Sequence, residues 1–271
     1  MQKLRNLRVF YMGTLLLTVA AAVLRTLALA RALNRESGYF MANQVLPTVL
    51  AIVLGIGIAY ALLFPLLLRD RVPTVHAPRS TPSQIAAGLC AALSLVAFAG
   101  ACTAKKSVPV PTLLWLVGIF MLLAAAVYFL TKTPLCPIST MGEAVLGSLT
   151  LIGIACLIAV TYFDIATPMN APGKTHLHLA LLSLMLYLLY ELRDAVGAPL
   201  PRMRTAFGAL AFFLAAAVGF SDTAAAIAGV SRSFIYLSQD FLLIGLALYI
   251  ATRGVADLSA TSNTERKTTK K

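Results

Sequence analysis

Eight apolar stretches, each long enough to cross a bilayer and joined only by short loops, fill almost all of the 271 residues. About 20 mostly apolar residues, coiled as a helix, cover a hydrocarbon layer ~30 Å thick, and lipid offers an open strand no partners for its backbone. The candidate spans run from Val9 to Ala30, Val45 to Leu68, Gln84 to Ala104, Pro111 to Thr131, Ala144 to Phe163, Leu177 to Leu192, Thr205 to Phe220 and Phe234 to Thr252. Breaker clusters around Pro73, Pro109, Pro134, Pro168 and Pro199 separate them. With 59% hydrophobic and 12% charged residues and a mean hydropathy of +0.86, the chain carries more apolar surface than a water-soluble domain could hide. The expected fold is an all-α polytopic transmembrane helical bundle of about eight spans in one domain, residues 1–258. Seven is the alternative count, because span six is short on apolar residues alone; its helical pattern continues through Glu191 and Asp194 until Gly197 and Pro199 stop it. Residues 259–271 are polar and basic without apolar periodicity, and are expected to form a disordered tail.

Basic residues near span ends are retained on the cytoplasmic side. With the N-terminus inside, fifteen Lys and Arg fall on the inner side and six on the outer side: Arg31, Arg35, Lys105, Lys106, Lys174 and Arg232. Both termini are therefore expected in the cytoplasm, with the protein a multi-pass component of the plasma membrane. Tyr60, Tyr128, Tyr190 and Tyr249 mark the inner ends of spans two, four, six and eight, each followed by a basic residue. Anchoring at the headgroup layer explains this recurrence, and four stacked helical hairpins are the alternative. The net charge of +12 belongs to the inner face and tail, where it favours anionic lipid; no nucleic-acid partner is expected. Lys3, Arg5 and Arg8 before an apolar run ending in Ala28-Leu29-Ala30 have the form of a secretory signal. Arg25 and the length of the run favour a retained anchor, with cleavage as the alternative.

A charge in hydrocarbon costs a few kcal/mol unless it faces a partner or water, so ionisable residues within spans are the best functional pointers. Arg25 lies about six residues, ~9 Å, inside the outer end of span one, and Asp240 about eight residues, ~12 Å, inward from Arg232. The matched depths and opposite charges predict a pair across the first and last spans; separate snorkelling to the outer surface is the alternative. Tyr11, Thr14, Thr18 and Arg25 share one side of span one. Span six carries the longer stripe, His176, Ala180, Ser183, Tyr187, Glu191 and Asp194, which either lines a hydrated path or bonds between helices. At the outer ends, Asp164, Asp222, Arg232, His176 and His178 are candidates for a polar vestibule near Asp240, capped by the segment from Asp164 to Lys174. Small residues on span three (Ala87, Gly88, Ala91) and span seven (Gly208, Ala215, Gly219) permit close helix approach, and Gly55, Gly57 and Pro65 allow a kink or hinge in span two.

The chain lacks the marks of several chemistries. His76 is expected inside and His176 and His178 outside, which argues against a three-His metal site. Cys90, Cys102, Cys136 and Cys156 share no common side and depth, so they read as small apolar fillers. No mid-span lysine, Gly-rich phosphate loop or G-x-S-x-G elbow occurs. No catalytic, cofactor-binding or metal-binding residue is assigned, and no cofactor is expected. The polar candidates are Arg25, Asp164, Ser183, Tyr187, Glu191, Asp222, Arg232 and Asp240.

Tyr162-Phe163-Asp164, then Pro168-Met169-Asn170, Pro172 and Lys174, and finally Tyr190-Glu191-Leu192-Arg193, give spans five to eight a resemblance to multi-pass membrane proteins of Gram-positive anaerobic bacteria. That group has no assigned activity, so the resemblance implies a bacterial plasma membrane and transfers no functional residue. The leading expectation for function is small-solute or ion transport, alone or as the membrane subunit of a transporter. A sensory or accessory membrane protein acting through a cytoplasmic partner is the second. Expected partners are the lipid bilayer, a small solute or ion, and a protein partner or further copies of the chain.

Overall fold

The computed structural model describes the backbone of residues 2–34, 37–67, 80–103, 112–163, 168, 170–229 and 234–269. Its helices are α1 (Gln2–Arg31), α2 (Val45–Leu67), α3 (Thr81–Thr103), α4 (Thr112–Thr131), α5 (Thr140–Phe163), α6 (Pro172–Ala195), α7 (Pro201–Ile227) and α8 (Phe234–Thr269). All eight contain a segment long and apolar enough to cross a membrane, which makes the protein an all-α polytopic bundle. Eight crossings bring the end of α8 back to the face where α1 begins, the terminal face.

Local sequence sets the helix ends. Pro172 and Pro201 open α6 and α7, where a missing N–H costs no helical hydrogen bond. Gly197 ends α6 at a positive φ of 80°, so that its N–H reaches Asp194 O at 3.1 Å while Ala198 N–H reaches Arg193 O at 2.9 Å. Span six is thus a full helix through Asp194, as its pattern predicts. Pro65 lies inside α2, which nevertheless runs unbroken from Val45 to Leu67. The stretch from Ser259, expected to lack structure, continues α8 as helix to Thr269. Each added residue of a helix already nucleated in the bundle gains a hydrogen bond at little further ordering cost.

Helices α3 to α8 form a closed ring in chain order, each touching the next and α8 returning to α3. The hairpin of α1 and α2 lies outside this ring against α7, with α1 only grazing α8. The ring has no wide bore: leucines of α6 and α8, with Phe129 of α4, fill it down to a cavity of about 40 Å³. Its few polar lining groups are Ser94, Thr150 and Gln239.

Helix α7 is the axis of the molecule, touching α1, α2, α6 and α8. Within its span 67% of residues are buried, against 44% or less in every other helix, so of the two small-residue spans it is seven that is central. Its small side chains allow this crowding. A Cβ on Gly219 would stand 2.9 Å from the backbone oxygen of Asp240, so α7 and α8 meet there nearly backbone to backbone. Gly57 of α2 receives the ring of Phe213 in the same way, with a Cβ there falling 2.2 Å from the ring. Gly55, two residues away, has nothing within 4 Å of a Cβ. Gly57 and Gly219 serve packing, and Gly55 does not.

The two positions give a matched prediction. Gly57→Leu drives a side chain into fully buried Phe213 and should destabilise the purified protein by about 1–3 kcal/mol, the usual cost of overpacking. Gly55→Leu should leave the melting temperature in detergent unchanged or raise it, since leucine is the better helix former. Equal losses at the two sites would contradict this packing.

Candidate functional site

Near the face opposite the terminal one, Arg25 of α1 is buried, with 1% of its surface exposed. Its guanidinium grips Asp222 of α7 with both ends, Nη1 donating to Oδ1 at 2.6 Å and Nη2 to Oδ2 at 3.2 Å. Nη1 also donates to Ser221 Oγ and, at 3.4 Å, to Val218 O, while Nε donates to Nδ1 of His176 on α6 at 3.2 Å. Such a two-pronged contact uses the guanidinium fork fully, which is what makes a desolvated arginine tolerable. Three helices are tied together at this level.

The depth argument for Arg25 therefore stands, but the partner differs from the sequence expectation. Arg25 takes Asp222 on α7 rather than Asp240 on α8, because α7 lies between α1 and most of α8. Asp240 is buried at a nearby level, its backbone against Gly219. Of the vestibule candidates, His176 and Asp222 come together, whereas His178 faces α5, its Nε2 2.7 Å from Thr161 Oγ1. Asp164 and Arg232 lie outside the described residues.

Below the ion pair, toward the terminal face, the buried hydroxyls of Thr18 and Thr14 on α1 return to their own helix, donating to Thr14 O and Phe10 O. Ser183 does the same, donating to Ala180 O at 2.8 Å, so the middle of the α6 stripe is closed on itself. The seam then opens. A cavity of about 360 Å³ lies between α1, α7 and α8, reached by Tyr187 of α6 and walled at its polar end by Arg8, Arg204, Arg253 and Asp257. Gly208 makes room for it: a Cβ there would press on the Tyr187 ring at 3.2 Å.

Beside this cavity the terminal end of the ring is closed by a lattice of buried charges. Glu191 Oε1 accepts from Tyr249 Oη at 2.5 Å and lies 3.9 Å from Lys132 Nζ and 4.0 Å from Arg253 Nε. Lys132 also bonds Glu143 and sits 4.5 Å above the centre of the Tyr128 ring. Arg204 bridges Asp194 at 3.0 Å and Asp257 at 2.5 Å. Together these pairs join α5, α6, α7, α8 and the turn after α4.

The stripe on α6 thus connects two charged levels, its ends His176, Glu191 and Asp194 each joining one of them. Sequence reasoning passed over Lys132, Glu143, Arg204, Arg253 and Asp257, reading the basic ones as headgroup-layer charges. The available signal was spacing: Arg253 and Asp257 stand one helical turn apart in continuation of span eight. Among the described residues no group of His, Cys, Asp and Glu is arranged to hold a metal ion.

Removing one partner of a buried ion pair leaves the other charge desolvated, at a cost of about 3–5 kcal/mol, while removing both is far milder. Arg25→Gln and Asp222→Asn should each lower the melting temperature in detergent, and the double variant should recover much of the loss. Combining Arg25→Gln with Asp240→Asn should bring no such recovery, which separates the observed pairing from the one first expected.

No family model matches this chain, and neither a curated protein nor a solved structure matches it, so its function has to be argued from this geometry.

Proposed function

We propose that the protein carries a small solute across the membrane along the seam between α1 and α7. The carrying observation is that one seam is open at one end and shut at the other. Toward the terminal face it widens into a cavity of about 360 Å³, within the ~300–1,000 Å³ range of small-molecule sites. Toward the opposite face the same two helices are locked by Arg25 and Asp222. Exchange between this form and its mirror, open only on the other side, is how rocking transporters expose one site to two compartments. The α1–α2 hairpin is suited to rock, since it meets the ring almost wholly through α7.

The filled interior of the ring argues against a channel through its centre. The terminal face is read as cytoplasmic from the distribution of Lys and Arg, and the membrane as a bacterial plasma membrane from the resemblance of spans five to eight. On that reading the cavity faces the cell interior.

Labelling from each side of the membrane tests the reading. The four free cysteines are first replaced, and Thr14→Cys then places a lone thiol in the cavity. A membrane-impermeant thiol reagent should reach it from the terminal face. Adding Asp222→Asn, which removes a lock worth a few kcal/mol, should raise its reaction from the opposite face by about tenfold or more. Reaction confined to the terminal face with the lock removed would overturn the proposal.

A further inference from the structure

The cavity between α1, α7 and α8 has a polarity that a sugar or a metal ion would not use. One end holds Arg8, Arg204 and Arg253 with a single carboxylate, Asp257, among them. Away from them the wall is apolar, with Leu15 of α1, Phe212 of α7 and Ile250 of α8 leading toward the middle of the membrane. Arg253 supplies the second observation. Its Nε and Nη1 are buried without a hydrogen-bond acceptor, the nearest carboxylate oxygen of Glu191 standing 4.0 Å from Nε. Arg253 thus holds its counter-charge Glu191 only at ion-pair distance, which leaves its positive field to act on an anion in the cavity that it lines. Arg204 is already held by Asp194 and Asp257, which leaves Arg253 and exposed Arg8 to receive it.

The cavity also borders the side of the bundle. α1 and α8 scarcely touch, and the gap is rimmed by Met12 and Val255, 57% and 61% exposed within the spans, where lipid chains lie. A ligand entering there comes from the leaflet. It needs an anionic head for the arginines and a hydrocarbon chain for Leu15, Phe212 and Ile250.

We propose that the cavity binds an anionic phospholipid of the leaflet at the terminal face, its phosphate against Arg253 and Arg8 and an acyl chain along Phe212. This puts a lipid in place of the small solute of the transport reading above, and rests on that reading for the step of crossing, though not for binding. The apolar wall favours a lipid over free phosphate, which would leave most of the cavity unfilled.

Quenching of a single tryptophan tests the assignment in the full chain. Trp115, the lone native tryptophan, sits on α4 away from the cavity and should be quenched equally by chain-brominated phosphatidylglycerol and phosphatidylcholine. With Trp115→Phe and Phe212→Trp, the anionic lipid should quench at a several-fold lower mole fraction than the zwitterionic one. Arg253→Gln and Arg8→Gln should each weaken that preference by about fivefold, the effect of one basic residue on anionic lipid. Because Arg253 is tied to the buried lattice, Arg8→Gln, at an exposed side chain, carries the test if Arg253→Gln fails to fold. Equal quenching by the two lipids, or a preference that survives both substitutions, overturns the proposal. So does the absence of quenching at position 212 while inorganic phosphate raises the melting temperature through Arg253, which would assign the cavity to a water-borne anion. Preferential quenching in a chain whose Thr14→Cys thiol never reacts from the opposite face would sink transport and leave lipid binding standing. The reverse result would keep the seam as a path and reject its lipid.

Discussion

A charge within hydrocarbon has to find its counter-charge inside the protein, and this requirement organises the whole bundle. Helix α7 carries Arg204 and Asp222 eighteen residues apart, ~27 Å along the helix, close to the thickness of the hydrocarbon layer. Each draws partners from other helices, Asp222 taking Arg25, which also bonds His176, and Arg204 taking Asp194 and Asp257. The small residues of α7 serve the same end. They let α1, α2, α6 and α8 come close enough for side chains on separate helices to meet.

The two levels differ in kind. Arg25 and Asp222 form a compact pair with hydroxyl and imidazole support. At the terminal face the charges form a net of longer contacts, in which Glu191 has two cations, Lys132 and Arg253, close to one carboxylate oxygen. Its other oxygen, Oε2, is buried with no hydrogen-bond partner. Glu191 Oε2 and the orphaned edge of Arg253 give this end groups whose bonding is incomplete in the structure, and incomplete bonding of buried ions is costly unless something else supplies the contact. The pair is closed on itself; the net borders a cavity.

Much of the fold was legible in the sequence because lipid imposes a length and a composition on anything that crosses it. All eight spans occur, and Gly197 stops α6 where its pattern ends. Arg25 and Asp240, placed within spans by counting from the span ends, are both buried, and so is Asp222, which lies beyond the expected end of span seven. Which helices become neighbours did not follow. Depth along a span can be counted, but the order of rods around a bundle depends on packing of faces that a single sequence does not rank. Asp222 and Asp240 were both eligible for Arg25, and the position of α7 decided between them. The lattice was hidden for a related reason. Lys132 and Arg204 sit where headgroup-layer charges are usual, and a basic residue there has the same signature whether it faces phosphate or a carboxylate of its own chain.

The ring and the hairpin outside it divide the work. Six helices closed on one another, filled by leucine and plugged at one end by ion pairs, resist deformation because every movement opens a void or strands a charge. The α1–α2 hairpin is held differently, by the Gly57–Phe213 contact along α2 and, along α1, by buried Phe10, Ala21 and Ala28 and by the bonds of Arg25 to Asp222, Ser221 and His176. The hydroxyls of Thr14 and Thr18 are satisfied within α1 and take no part in tying it to α7. The polar face of α1 is in this sense self-contained except at Arg25. Arg25 is thus the point at which α1 meets the charges of α6 and α7.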